Sequence, residues 1–278
     1  MPTTIYIVLI ILSALFLLYC IFIMPRLFNR ADRMPFAGYY YAHRGFHNNE
    51  SDAPENSIPA FLKAVEKGYG IELDVQLTKD EKVVVFHDGD LNRVCKTDAP
   101  VNSKTYAELC ELTLCSSKEH IPLFEDVLKA VDGKVPLIVE IKMVDSNTRV
   151  CELANELLLN YKGIYCVESF HPAAVRWFGK HRPELLRGQL SSNFAKDDGK
   201  TESFGKFMVH FLLSNLMCRP DFIAYCCDYP NNFSFMLTKL FGALPVAWTV
   251  KTPEVLKKVK NKYKLFIFEG FSPDEEEN

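Results

Sequence analysis

Four residues, Thr78, Lys79, Asp80 and Glu81, do the most to restrict the fold of this chain. They are all that separates two apolar, β-branched runs, 71–77 and 82–86. Similar runs recur at 39–43, 136–141, 164–170, 185–190, 221–226, 245–250 and 264–269. Helical patterns lie between most of them: Ser57–Lys67, Lys104–Leu112, Phe124–Val131, Thr148–Asn160, Pro172–Lys180 and Pro253–Lys260. Strands alternating with helices point to a parallel sheet with right-handed crossovers. A parallel crossover needs a dozen or more residues, so a four-residue link can only be a hairpin. Run 82–86 is therefore an antiparallel arm, and the other eight runs fit an α/β fold of the (β/α)8 TIM-barrel type. An open doubly wound sheet is the fallback.

The front of the chain adds a second element. Ile5–Met24 is an uncharged apolar run of about 20 residues, long enough to cross a bilayer as one transmembrane helix. A cleaved signal peptide fits less well, because no Lys or Arg precedes the run and no small-x-small site follows it. Arg26, Arg30 and Arg33 all follow the run, which places the remaining chain on the cytoplasmic side of a single-pass membrane protein. The expected organisation is a transmembrane anchor (1–24), a basic linker (25–38), a barrel domain (39–273) and an acidic tail (274–278). The formal charge of −3 gives no basic footprint, so nucleic acid is not an expected partner, and no protein partner is implied. The nine cysteines include no C-x-x-C pair and read as reduced core thiols.

Polar residues cluster at the ends of the early runs. In a parallel barrel the site lies at the C-terminal ends of the strands. His43 ends the first strand. Glu72 and Asp74 share one face of the second, because side chains two apart point the same way. Glu140 and Lys142 do the same later. Two carboxylates on one face of an apolar stretch are costly to bury without a cation. Glu72, Asp74 and Glu140 thus read as ligands for a hard divalent metal, Mg²⁺ or Ca²⁺. For each alone, a structural ion pair is the plainer reading. His43 and His87, each at a strand end beside a charged residue, read as an acid and base pair. Arg44 and Lys142 could hold a phosphate, or could simply pair with Glu55 and Glu140.

The ordered motifs H-R-G, E-N-S, E-L-D-V, V-V-F-H-D, I-P-L-F-E-D-V-L, V-E-I-K and W-T-V resemble the glycerophosphodiester phosphodiesterase family over residues 39–273. The resemblance implies a (β/α)8 barrel and hydrolysis of a glycerophosphodiester to sn-glycerol 3-phosphate and an alcohol. It matches Glu72, Asp74 and Glu140 to metal ligands and His43 and His87 to catalytic histidines. Arg44, Glu55 and Lys142 match residues lining the phosphate and substrate region, and Trp248 an aromatic of the site wall. The implied partner is a small-molecule or lipid phosphodiester, with a lysophospholipid at the membrane among the options. The alternatives are a phospholipase D-type lyase giving a cyclic phosphate, and a non-catalytic membrane-bound ligand-binding protein. Glu269 stands where the family has Asp near a final Tyr-Pro pair.

Two stretches fall outside that pattern. Phe204–Met217 is apolar nearly all round and reads first as a buried barrel helix, with a membrane-touching lid as the rival. Phe233, Phe235, Met236, Leu237, Leu240 and Phe241 pose the same choice; their exposure would favour a lipid substrate. About fifteen residues separate His87-Asp88 from the next expected helix, which suggests an open mouth rather than a cap.

Overall fold

The structure is a computed structural model that describes residues 2–199 and 201–276. Eight parallel strands close into a barrel: β1 (Tyr40–Ala42), β2 (Gly70–Leu77), β4 (Leu137–Ile141), β5 (Tyr165–Ser169), β6 (Arg187–Ser191), β7 (Phe222–Cys226), β8 (Leu244–Val250) and β9 (Leu265–Phe268). The remaining strand, β3 (Val83–Val85), pairs antiparallel with β2, with Val75 opposite Val85. The ring runs β1-β9-β8-β7-β6-β5-β4-β2 and closes through the β1–β2 pairing. The four-residue link is a hairpin, as the loop-length argument expects, and β3 stands outside the ring.

Period-two alternation sorts the strand residues. Ile71, Leu73, Val75, Val139, Val167 and Ile223 pack outward against the helices. Tyr41, Ile138, Cys166, Leu190, Ala224, Val246 and Ile267 fill the barrel interior. Helix Ile58–Glu66 starts as its sequence expects, with Ser57 Oγ accepting from the amide of Ala60 and Pro59 in the first turn.

Two expectations change. The helix expected over 104–112 forms only at Tyr106–Leu109. Residues 89–123 instead make a satellite around a small core of Leu91, Val94, Val101, Leu109, Leu114 and Ile121, shared with Val84 and Phe86. The basic segment after the apolar run is also no loose tether. Arg26 Nη1 donates to the Pro183 carbonyl at 2.8 Å, Arg30 Nη2 to that of Phe241 at 2.7 Å, and Arg33 Nη2 to that of Asp221 at 3.1 Å. Those carbonyls precede β6, β8 and β7, so the arginines strap the segment across the barrel floor. Phe36, buried at the end of the strap, plugs the interior, and its carbonyl accepts from Tyr41 Oη.

The helix Pro2–Ile23 is the one described helix long and apolar enough to cross a membrane, with mean hydropathy 2.9 over Thr3–Ile23. Only its last turns touch the barrel, through Tyr19, Cys20 and Ile23. At the other end of the chain Pro273–Glu276 forms a 3-10 turn. Of the expected anchor and tail, Met1, Glu277 and Asn278 lie outside the described residues.

Candidate active site

The H-R-G turn builds the first wall of the mouth. His43 continues β1, its amide bonded to the Phe268 carbonyl at 2.9 Å. Arg44 and Gly45 both adopt positive φ, 55° and 83°. At Gly45 a Cβ would also meet the Ala60 backbone at 2.9 Å, so glycine is required twice over. The sharp turn aims the Arg44 amide at Glu72 Oε2, 3.0 Å away.

The carboxylates come from consecutive strands. Asp74 of β2 is in register with Glu140 of β4, which is in register with Glu168 of β5. Glu72 lies one inward position below Asp74. Oxygens of Glu72, Asp74 and Glu140 fall within 4.8 Å of one another, and all three residues are buried. Lys142 Nζ bridges Glu140 Oε1 at 2.9 Å and Asp74 Oδ1 at 3.1 Å. Arg44 Nε lies 3.6 Å from Asp74 Oδ2, which also accepts from Asn56 Nδ2 at 2.9 Å.

Charge bookkeeping shows what the cluster lacks. Four buried carboxylates, Glu72, Asp74, Glu140 and Glu168, face two cations, Arg44 and Lys142. Burial and the neighbouring acids push Glu72 and Glu168 well above the carboxylate range. Glu140 is raised mainly by burial, against the pull of Lys142. Asp74 is held well below the range, since Lys142, His87 and Arg44 outweigh its burial. Among the described residues, Glu168 Oε2 has no hydrogen-bond partner. Like charges this close are stable only with protons or an added cation. The all-oxygen donor set suits a hard divalent ion.

The histidines are held alike. His43 Nδ1 lies 2.8 Å from Glu269 Oε2, leaving Nε2 toward Glu72, 3.9 Å away. Burial lowers the His43 pKa to about 4, even though Glu269 opposes the shift. At neutral pH the ring is therefore neutral and Nδ1–H donates to the carboxylate. The bond from His43 in turn lowers Glu269 to about 2. His87 Nδ1 lies 2.7 Å from Asp88 Oδ1. Its loop is pinned by Gln76, whose Nε2 donates to the carbonyls of Phe86 and Asp88, both at 2.8 Å. The hairpin arm thus returns His87 to the mouth, where it lines one cavity with Glu140 and Lys142.

Glu55 is saturated by cations: Arg44 at 2.7 Å and Arg93 through two bonds of 2.6 and 2.7 Å. Arg44 and Lys142 thus make the ion pairs that their plainer reading expects, while still bordering the carboxylates. Trp248 faces inward on the opposite arc, its indole edge-on to Phe170 and its Nε1 donating to the Ala224 carbonyl at 3.0 Å. Sequence reasoning missed Glu168 and Arg93. Glu168 carried a signal, since it alternates with the inward Cys166 in run 164–170. Arg93 carried none, because its partners are Glu55, distant in sequence, and Asp88.

A closed (β/α)8 barrel with buried carboxylates, paired histidines and two cations at its C-terminal rim defines a class of barrel proteins equipped for a hard divalent ion and an anionic ligand. Within it, the chain belongs to the glycerophosphoryl diester phosphodiesterase family, whose sequence model matches residues 43–265. A glycerophosphodiester phosphodiesterase of Bacillus altitudinis is 35% identical over 157 residues, 52% of this chain and 63% of the relative. Mouse "Lysophospholipase D GDPD1" is 32% identical over 151 residues, 50% of this chain and 46% of the relative. The chain thus spans under two thirds of the length of these curated relatives. Among solved structures, an Oleispira antarctica phosphodiesterase in complex with the product sn-glycerol-3-phosphate superposes with a TM-score of 0.69 at 21% identity, covering 84% of this chain and 93% of that one. The Thermotoga maritima glycerophosphodiester phosphodiesterase gives 0.63 at 24% identity, covering 83% and 94%. At these identities the two structures speak for the fold.

Proposed function

We propose that this chain hydrolyses glycerophosphodiesters to sn-glycerol 3-phosphate and an alcohol. The carrying observation is the excess of buried carboxylate at a mouth that also holds two acid-anchored histidines. Glu72, Asp74 and Glu140 would hold Mg²⁺ or Ca²⁺, which when bound supplies positive charge to phosphoryl oxygens. Arg44 and Lys142 orient the phosphate and stabilise charge developing on its non-bridging oxygens. His43, neutral and fixed by Glu269, presents Nε2 as the proton acceptor from water. The water oxygen bonds to phosphorus as the bond to the alcohol oxygen breaks. His87, fixed by Asp88, returns a proton to that alkoxide. Glu55 holds Arg44 in place, and Trp248 forms the far wall.

The domain assignment follows: an anchor at 1–24, a basic segment at 25–38 that doubles as a floor strap, a barrel at 39–273 and an acidic tail at 274–278. The arginines after the apolar run support a cytoplasmic barrel. A second reading has the substrate's own glycerol hydroxyl as nucleophile, giving a cyclic phosphate. Phosphorus NMR of glycerophosphocholine turnover tests both. The proposal expects glycerol 3-phosphate, and a loss of about 10²–10⁴-fold in His43→Ala with the fold intact by circular dichroism. Wild-type turnover in that variant would refute the assignment.

A further inference from the structure

Two side chains at the mouth are placed against their chemistry. Phe204 opens a helix, Phe204–His210, that is not the buried barrel helix its composition suggests: Phe204 is 79% exposed and Val209 is buried. His47 is the converse. Its side chain is only 10% exposed, and among the described residues neither ring nitrogen has a hydrogen-bond partner. A buried polar ring without a partner is the rarer of the two and calls for a reason.

The backbone delivers that ring to one place. The Phe46 amide donates to the Ala60 carbonyl at 3.0 Å, the His47 amide to that of Gly45 at 2.9 Å, and the Asn48 amide to that of Ala53 at 2.9 Å. Phe46 packs its own ring against Tyr69 and Phe268. His47 is thereby set beside Glu269, with Nε2 3.9 Å from Oε1. That oxygen is the one His43 leaves unused, because His43 Nδ1 meets Oε2 at 2.8 Å. Two histidines of one turn therefore flank a single carboxylate.

Glu269 has reason to need both. Its amide is bonded to the Val250 carbonyl at 3.0 Å, but its long side chain is 33% exposed. One hydrogen bond at Oε2 leaves the carboxylate free to pivot; a second donor at Oε1 fixes its plane, and with it the direction of His43 Nε2. Burial lowers the His47 pKa, against Glu269 and Glu55 and with Arg44 and Arg93. The ring is then neutral near pH 7, so it can donate an N–H without cancelling the charge that holds His43. The contact is long for a hydrogen bond, as such bonds often are before substrate arrives. A cavity of about 770 Å³ borders His47 and Glu269 and gives them room to close the gap.

We infer that His47 is a positioning residue: its Nε2–H donates to Glu269 Oε1 and locks the carboxylate that aims His43 at the reacting water. The inference rests on the phosphodiesterase reading above and adds a residue to its machinery. His47 touches neither substrate nor metal ligand in this role, and acts through Glu269 alone.

Two variants separate this role from simple packing. Gln can place an N–H where the His47 Nε2 lies, whereas Asn places one only where Nδ1 lies. Full-length protein in detergent is assayed on glycerophosphocholine with Mg²⁺ or Ca²⁺. The kcat of His47→Asn should fall about tenfold, the low end for a group that orients a functional ring, with KM changed by less than about twofold. His47→Gln should keep kcat within about twofold of wild type, and His47→Asn should cost nothing further in a Glu269→Ala background. Equal losses in Asn and Gln, a loss carried by KM, or additive losses with Glu269→Ala would overturn the role. Nitrogen NMR of histidine-labelled protein, with His47 assigned by its loss in either variant, reads the contact without turnover. The expected His47 is the Nε2–H tautomer, and its signal moves in Glu269→Ala. An Nδ1–H tautomer, or a signal indifferent to Glu269, would overturn the contact. The expected tautomer and response in a wild type that turns over no glycerophosphocholine would support the contact and refute the phosphodiesterase reading.

Discussion

The two ends of the barrel gather charge in opposite ways. At the floor, Arg26, Arg33 and Arg187 surround a single Asp221, so positive charge is in excess. The ion pairs there are long, 3.5 Å each, and burial still raises the Asp221 pKa despite the arginines. The excess is absorbed by backbone carbonyls, which accept from Arg26, Arg30 and Arg33. At the mouth the excess is negative: the Arg44 amide donates to Glu72 and Asn56 to Asp74, but these neutral donors bring no charge to offset the four carboxylates. Guanidinium on carbonyl closes a structure; carboxylate beside carboxylate leaves it waiting for a cation. A barrel thus keeps stability at one end and reactivity at the other.

The sharpest way to break this contrast is Glu72→Gln. Activity is expected to fall by at least about 10³-fold, since the change removes both a donor oxygen and charge complementarity to the cation. Thermal stability without added metal is expected to hold or rise, because repulsion among Glu72, Asp74 and Glu140 is relieved. A large fall in melting temperature would mean that the mouth is structural after all.

Glu269→Ala should act next, through His43. Losing the Nδ1 anchor is expected to lower kcat by about 10–100-fold, the range typical of partners that orient a functional ring. Glu269 raises the His43 pKa against burial, so its removal lowers that pKa further below about 4. The acid limb of the kcat/KM profile should move to lower pH, which a merely structural role would not produce.

Arg26→Ala probes the floor. It removes the bonds to the carbonyls of Phe28 and Pro183, and is expected to destabilise by about 2 kcal/mol with activity per folded molecule unchanged. Chemical denaturation beside a turnover assay reads both; loss of activity without loss of stability would erase the contrast.

Glu55→Gln, in the loop after β1 at the edge of the mouth, should have the smallest effect, about 1 kcal/mol near neutral pH. Burial would raise the Glu55 pKa, but Arg93 and Arg44 bring it down to about 2 from an ordinary 4.5. A depressed carboxylate stabilises the fold above its unfolded value and loses that contribution as pH falls through its folded value. The melting-temperature gap between wild type and variant should therefore narrow from pH 4.5 toward pH 2. A gap constant across that window would show that the ion pairs contribute nothing.

Much of this was legible in the residues because barrel geometry is local. Loop length separated β3 from the ring, and period two put Glu72 with Asp74 and Glu140 with Lys142. The strap was not legible: Arg26 and Arg30 reach carbonyls more than 150 residues away, and no pattern around an arginine announces a carbonyl. Glu168 was passed over because one acid in an apolar run looks like an exception until its neighbours in register are known. The satellite over 89–123 was misjudged as a short link, since its core forms from single apolar residues scattered among turns.

The central claim is that the mouth is built around a cation that its own arginine and lysine cannot replace. Thermal unfolding of the full-length protein with Mg²⁺, Ca²⁺ or chelator tests it directly. At about a hundredfold excess over the dissociation constant, one of the two ions should stabilise the wild type by about 2.7 kcal/mol and leave Glu72→Gln unmoved. No stabilisation by either ion, or an equal effect on wild type and variant, would contradict the account.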